Sequence, residues 1–398
     1  MAARLDWRIC MRGLILFAAV LAGLSFTMDK GQCVQPLDPV PRHAGGGRLD
    51  RNGPDVVLFL GGSPAQMGRQ HGALLRTTIR TMIEDYVRPN LDGDHGLRLL
   101  TAARMVRSVL PPDYRTELDA CAVAANVDPD ELLIAQSLGD LETAVIGVPN
   151  VLSHSCSSYV AFGPATADGS LQCGRNLDYF FGESIPRYAS LVTYYTPEAG
   201  HGYRFAAVGL AGILGGWTLV NERGLIVANH LGGGIKSRLD ALPTLVLTRQ
   251  IAQHAATVDE AVEMLAKLPR MRGQIIWLAQ EARASEGRAA KAVAVEYDAA
   301  RIAVRGSEEG VLIVTNQNRA FTPPPQPHLT CGRYRTIQRL IREKMGKLVP
   351  SDTLMLSPDV ANASTLHSVQ FHPAEGAFRV WFRPGWKMQA ECVRYEMP

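Results

Sequence analysis

The chain of 398 residues contains no CxxC pair, and its seven cysteines are widely spaced. Neither a structural zinc site nor a dense disulfide scaffold reads that way. It also lacks a basic run interleaved with aromatics, and 41 Lys and Arg against 38 Asp and Glu leave a formal charge of only +3. That argues against the electrostatic footprint of a nucleic-acid-binding protein. No internal repeat or low-complexity tract is present, which sets aside solenoids and disordered arrays. Charged residues at 20% and hydrophobic residues at 46% describe an ordinary globular chain, long enough for one large domain or two modest ones.

Long apolar runs are scarce too. The marked one, Leu14 to Phe26, is shorter than the roughly 20 residues of a comfortable membrane span. Arg4, Arg8 and Arg12 precede it, so residues 1–29 read as a signal peptide, with a membrane anchor as the alternative. Either reading places the protein outside the cytoplasm, secreted or periplasmic, and the anchor would associate it with a membrane. Loss of Cys10 with the leader leaves six cysteines. If Cys156 is kept as a free thiol, the other five cannot all pair within one chain.

Residues 30–54, rich in Gly, Pro and polar side chains, read as a linker. Val56–Leu60 is a buried-strand candidate, and helical periodicity dominates from there to about residue 146. Asp128-Pro129-Asp130-Glu131 is a strong helix start. Beyond Cys156 the pattern changes to strands, with two helices at about 243–254 and 257–268 and a third near 334–345. Asn221-Glu222-Arg223-Gly224 turns a hairpin, and Ser368–Phe371 with Ala377–Phe382 forms another. A helical first part followed by strands, helices and strands predicts an α+β sandwich with helices outside two packed sheets.

The chemistry concentrates in Ser155-Cys156-Ser157-Ser158-Tyr159-Val160, Ala167-Asp168-Gly169 and Gly174-Arg175-Asn176-Leu177-Asp178. Asp168-Gly169 is placed to turn the chain, returning Arg175 and Asp178 beside Cys156. A guanidinium favours thiolate over thiol. A carboxylate can orient an α-amine, whose ordinary pKa of about 7.7–8.0 suits proton exchange with sulfur. These residue types fit a cysteine that becomes an N-terminal nucleophile when the chain cuts itself at Ser155–Cys156. Asn229, ahead of Gly232-Gly233-Gly234, and Asn316, after the strand Val311–Thr315, are candidate oxyanion donors. His71, on a helix beside Gly72, reads as a packing residue.

Three segments resemble the N-terminal-nucleophile hydrolases related to penicillin acyl-coenzyme A acyltransferase (isopenicillin-N acyltransferase), choloylglycine hydrolase and acid ceramidase. They are Gly62-Ser63-Pro64-Ala65-Gln66-Met67-Gly68-Arg69-Gln70-His71-Gly72, the nucleophile hairpin from Cys156 to Asp178, and Asn221-Glu222-Arg223-Gly224-Leu225 with Asn229 and Thr315-Asn316. The resemblance implies a four-layer αββα sandwich. It divides the chain into a helical pro-region of residues 55–155 and a nucleophile-bearing chain of residues 156–398. It makes Cys156 the nucleophile, Arg175 and Asp178 its supporting pair, Asn229 the oxyanion donor and Asn316 a second active-site amide. A late arginine is also implied, with Arg333 matching better than Arg335. Serine stands before the nucleophile where the acyltransferases usually have glycine. The implied reaction is hydrolysis or transfer of an acyl group from a small amide through a thioester, in a heterodimer of processed chains, without metal or cofactor. A ceramidase or phospholipase on the same fold and an uncleaved binding protein are the alternatives.

Overall fold

The computed structural model describes residues 42–146, 156–179, 190–234, 236–321, 331–382 and 391–398. The leader, Cys10, Cys33, His154 and Ser155 lie outside them. First come β1 (His43–Ala44), β2 (Gly47–Asn52) and β3 (Asp55–Gly62), then α1 (Pro64–Leu74), α2 (Arg76–Met82), α3 (Gly93–Val109), α4 (Pro112–Ala125) and α5 (Pro129–Ile146). After Cys156 run β4 (Ser157–Ala161), β5 (Gln172–Asp178), β6 (Ser190–Pro197), β7 (Phe205–Leu210), β8 (Thr218–Asn221) and β9 (Ile226–Leu231). Next are α6 (Thr244–His254), α7 (Val258–Lys267), β10 (Gln274–Gln280), β11 (Lys291–Tyr297), β12 (Ile302–Gly306) and β13 (Val311–Val314). The chain finishes with α8 (Gly332–Glu343), β14 (Thr365–His372), β15 (Ala377–Phe382) and β16 (Val393–Glu396). The linker expected to reach residue 54 therefore stops earlier: the polar stretch 43–52 pairs as edge strands, with Asp50 opposite Val57 and Asn52 opposite Asp55. Edge strands tolerate that polarity because one side faces water.

The strands form two sheets. One has the order β1-β2-β3-β6-β7-β8-β9-β10-β11-β12, the other β13-β4-β5-β14-β15-β16. Period-2 alternation assigns each face. In the ten-stranded sheet, Val57, Val192, Ala228, Ile275 and Trp277 meet Val160, Cys173, Leu312, Val369 and Phe371 of the six-stranded sheet, forming a core between the sheets. Their sequence neighbours Leu58, Leu191, Val227, Ile276 and Leu278 face the other way and pack with α1–α7. On the far side, Tyr159, Ala161 and Ile313 pack on Ile337 and Ile341 of α8. Helices, sheet, sheet and helix make the four-layer αββα sandwich, and the expected fold class holds.

The capping signals act as read. Asp128 Oδ1 accepts from the backbone N–H groups of Asp130 (2.8 Å) and Glu131 (3.2 Å), and Thr257 Oγ1 from that of Glu260 (3.2 Å). Cys331 caps α8, its sulfur accepting from Tyr334 N. The segment Gly62–Gly72 proves to be architectural. Gln70 ties Gly61 and Gly45 together, and His71 Nε2 accepts from Gly212 N at 2.9 Å. Burial pushes His71 down to about 3, so it stays neutral. Among the described residues no helix is long and apolar enough to cross a membrane.

Gly68 and Gly72 let α1 lie directly against α4. A Cβ at Gly68 would sit 2.2 Å from the Glu117 carbonyl oxygen, and one at Gly72 would sit 2.2 Å from that of Cys121. Gly72→Ala is expected to lower stability by about 1–3 kcal/mol. Arg69→Ala, at an exposed position of the same helix, should stay within about 0.5 kcal/mol. Urea denaturation of both variants beside the wild type checks the contrast.

Candidate active site

β4 and β5 are neighbours inside the six-stranded sheet, with Ser157 opposite Asn176 and Ser158 opposite Arg175. The connection between them is a loop of residues 162–171 instead of a tight turn. Within it Gly169 adopts a φ of +79°, and Asp168 Oδ1 accepts from Ser170 N at 3.0 Å. The pairing places Cys156, at the mouth of β4, beside the end of β5.

Alternation then sorts the side chains of β5. Cys173 and Arg175 face the ten-stranded sheet, whereas Asn176 and Asp178 face the layer that holds α8. Arg175 has no solvent exposure. It donates to Thr218 Oγ1 (2.5 Å) and to the Asn229 carbonyl (2.7 Å), and its Nη2 lies 3.8 Å from Cys156 Sγ. Burial pushes the Cys156 thiol up, and Arg175 opposes that shift.

On the opposite face Asp178 is also fully buried. Its Oδ1 accepts from Thr365 Oγ1 (2.6 Å), and its Oδ2 from Asn362 Nδ2 (2.9 Å) and Arg333 Nη1 (3.1 Å). A carboxylate has about four lone-pair sites, so one remains for a further donor. Burial raises Asp178 to about 6 against the pull of Thr365, Arg333, Asn362 and Arg175.

Asn316 and Arg333 join this cluster. Arg333 Nη2 donates to Asn316 Oδ1 at 3.2 Å, and Asn316 Nδ2 donates to the Leu231 carbonyl at 3.0 Å. The amide of Asn316 is thus engaged in linking α8 to β9. Arg335 is exposed, whereas Arg333 reaches Asp178 and Asn316. Asn229 differs from Asn316: its side-chain oxygen is buried without a protein partner, and the residue lines a cleft with Cys156. Asn221 sits apart and shapes its hairpin, accepting from Arg223 N and Leu225 N.

Two neutral histidines stand behind the thiol. Trp277 Nε1 donates to Ser158 Oγ (3.0 Å), and Ser158 Oγ is also hydrogen-bonded to His230 Nε2 at 2.8 Å. His367 Nε2 faces Thr218 Oγ1 at 3.4 Å. Burial holds both imidazoles well below their ordinary range, with Arg175 adding to the shift.

The cleft, about 40 Å³, lies between α5, the entry to β8, β9 and the start of α6. Tyr86, Tyr179 and Trp217 line one part, and Asp140, Arg272 and Gln274 another. Sequence reasoning missed Thr218, Asn362, Thr365, Asp140 and Arg272. Thr365 sits opposite Asp178 only because β14 pairs with β5, and nothing local in the sequence announces that pairing.

Residues 165–347 match the family model described as acyl-coenzyme A:6-aminopenicillanic acid acyl-transferase. The match takes in Arg175, Asp178, Asn229, Asn316 and Arg333 and begins beyond Cys156. An uncharacterised protein of Archaeoglobus fulgidus is 24% identical over 52% of this chain and 38% of its own length. Protein dcd1B of Dictyostelium discoideum is 22% identical over 56% of this chain and 48% of its own. The chain thus spans less than half the length of these two relatives. Among solved structures, similarity is found to a Caenorhabditis elegans N-acylethanolamine-hydrolyzing acid amidase ortholog (TM-score 0.44, 16% identity, 61% of this chain and 100% of that one). A conjugated bile acid hydrolase from Clostridium perfringens, as its C2A mutant, gives a TM-score of 0.40 at 14% identity, over 60% of this chain and 92% of that one.

Any step that needs Asp178 ionised is expected to slow as pH drops through about 6. Arg333 stabilises the ionised form. Arg333→Gln should therefore move the acid limb of the kcat/KM profile to higher pH, which a pH–rate series on both proteins reads directly.

Proposed function

We propose that this chain, which carries the acyltransferase-family segment at residues 165–347, is an N-terminal-cysteine amidohydrolase or acyltransferase that generates its nucleophile by cutting itself before Cys156. One observation carries the reading: a buried thiol faces a buried guanidinium, and among the described residues no histidine is hydrogen-bonded to the sulfur. His230 and His367 are neutral and engaged with Ser158 and Thr218. A base is still required, because burial keeps the sulfur protonated at neutral pH. The α-amine that cleavage would free on Cys156 itself is the group closest to the sulfur, and Asp178 has a lone-pair site left to orient it.

In processing, Cys156 Sγ attacks the Ser155 carbonyl carbon, and the Cys156 nitrogen leaves as an amine carrying the thiol's proton. Water then hydrolyses the resulting ester of sulfur, freeing the thiol. In turnover, the α-amine accepts the Cys156 proton as Sγ adds to the substrate amide carbon. Asn229 donates to the developing oxyanion, and Arg175 stabilises negative charge on sulfur. Collapse expels the amine, which takes the proton from the α-ammonium and leaves a thioester. Water, deprotonated by the same α-amine, releases the acid; an acceptor amine in its place would complete acyl transfer. Export of the chain would separate it from acyl-coenzyme A and favours hydrolysis. The processed fragments would remain together as a heterodimer.

Intact mass and N-terminal sequencing of the purified protein should give two fragments, one starting at Cys156, and a single uncut chain for Cys156→Ala. An uncut wild type would remove the α-amine from the mechanism. Asn229→Ala is expected to be processed and folded yet to lose about 10²–10³ in kcat, as removal of one oxyanion donor does. Steady-state kinetics with a chromogenic amide measures this.

A further inference from the structure

The cleft has a wall for which the proposed reaction has no use. α5 supplies Asp140, α6 begins with Thr244, and Arg272 and Gln274 stand at the entry to β10, with Thr143 of α5 behind them. Arg272 is 4% exposed and Asp140 5%. Arg272 Nε donates to Asp140 Oδ1 at 2.5 Å, and its Nη1 donates to Thr143 Oγ1 at 2.6 Å. Asp140 Oδ2 accepts from Thr244 N at 2.6 Å, and its Oδ1 also accepts from Thr244 Oγ1 at 3.2 Å. With the Gln274 amide set so that its nitrogen donates to the His230 carbonyl (2.6 Å), its oxygen accepts from Arg272 Nη2 at 2.8 Å.

A guanidinium carries five N–H groups. Three are committed in this arrangement, and one on each terminal nitrogen is left, on a side chain that shares the cleft with Cys156. Two such donors form a fork suited to an oxygen acceptor. Asp140 already balances the charge, so the fork suits a neutral carbonyl oxygen better than a second carboxylate. Trp217, Leu231 and Leu245 give the cleft its apolar lining. A plain alkyl chain laid along Arg272 would leave both donors unanswered in a buried site.

We infer that Arg272 forms a specificity subsite for a second carbonyl group, so that the cleft takes peptide-like amides in preference to simple alkyl or fatty amides. The inference rests on the reading of Cys156 as nucleophile and adds the substrate class. Asp140, Thr143, Thr244 and Gln274 hold the fork in place, and Arg272 alone touches the substrate oxygen.

The test compares substrates that differ only in the amide bearing that carbonyl, on both sides of the scissile bond. One pair is N-acetylalanyl p-nitroanilide and its 2-methylpentanoyl counterpart, in which CH2–CH2 replaces CO–NH. The other is hexanoylglycinamide and hexanoylpropylamine. At least one pair should show a preference of about 10- to 100-fold in kcat/KM for the member with the second carbonyl. In Arg272→Lys, which keeps a cation against Asp140 but loses the fork, that ratio should fall to within about threefold. Ratios taken within one enzyme cancel any loss of folded protein. Equal rates within both pairs, or a ratio unchanged in Arg272→Lys, would overturn the inference. Should the wild type turn over neither pair, the thermal shift given by hexanoylglycinamide must exceed that given by hexanoylpropylamine, and equal or absent shifts also overturn it. N-terminal sequencing reports separately on whether Cys156 is exposed as a nucleophile.

Discussion

A guanidinium with no exposure, clamped between two sheets, is the constraint on which this molecule turns. Arg175 stems from the six-stranded sheet and spends its donors on Thr218 and the Asn229 carbonyl of the ten-stranded one. Removing a charge from water costs several kcal/mol even after the structure relaxes. Among the described residues no carboxylate is hydrogen-bonded to it in compensation; its third neighbour is the sulfur of Cys156. The core between the sheets, built from Val, Ile, Ala and Phe, must therefore hold a cation at its edge. That is tolerable only where hydroxyl, carbonyl and thiol are fixed around it. The sheet packing and the reactivity of the thiol are thus one arrangement viewed from two sides.

The two faces of β5 divide the chemistry. Arg175 acts on the sulfur from the inter-sheet side, while Asp178 works through the opposite face, where α8 delivers Arg333 and the approach to β14 delivers Asn362 and Thr365. A strand does this without special geometry, because adjacent odd and even positions point apart. The spacing of three between Arg175 and Asp178 is therefore informative: it puts cation and carboxylate on different faces at the same strand end, where they flank Cys156 without neutralising each other.

Much of this was legible in the sequence. The strand alternation, the capping motifs and the change of pattern at Cys156 follow from local rules, and they give the layers and most element bounds. Arg175, Asp178, Asn229 and Arg333 were readable, and the structure gathers them round Cys156. What escaped depends on pairing between distant segments. Thr218 matters because β8 lies beneath β5, and Thr365 because β14 pairs with it 187 residues away. Arg272 looks like any arginine before a strand until α5 is seen to bring Asp140 against it. Residues 43–52 misled for another reason: a polar edge strand has the composition of a linker, and only its partner β3 distinguishes the two. Asn316 was expected as a catalytic amide, and its side chain joins Arg333 to the Leu231 carbonyl.

The route of the chain through the larger sheet has a consequence for what a cut can release. β3 precedes Cys156 and β6 follows it, yet the two lie side by side as parallel partners from Val56 and Leu191 to Gly62 and Pro197. α1 to α5, all encoded before Cys156, cover the outer face of strands encoded after it. Severing the backbone at Cys156 would leave every one of these ladders and contacts intact. The upstream piece is then no detachable inhibitor. It would be a permanent half of the fold, and the two pieces would part only by global unfolding.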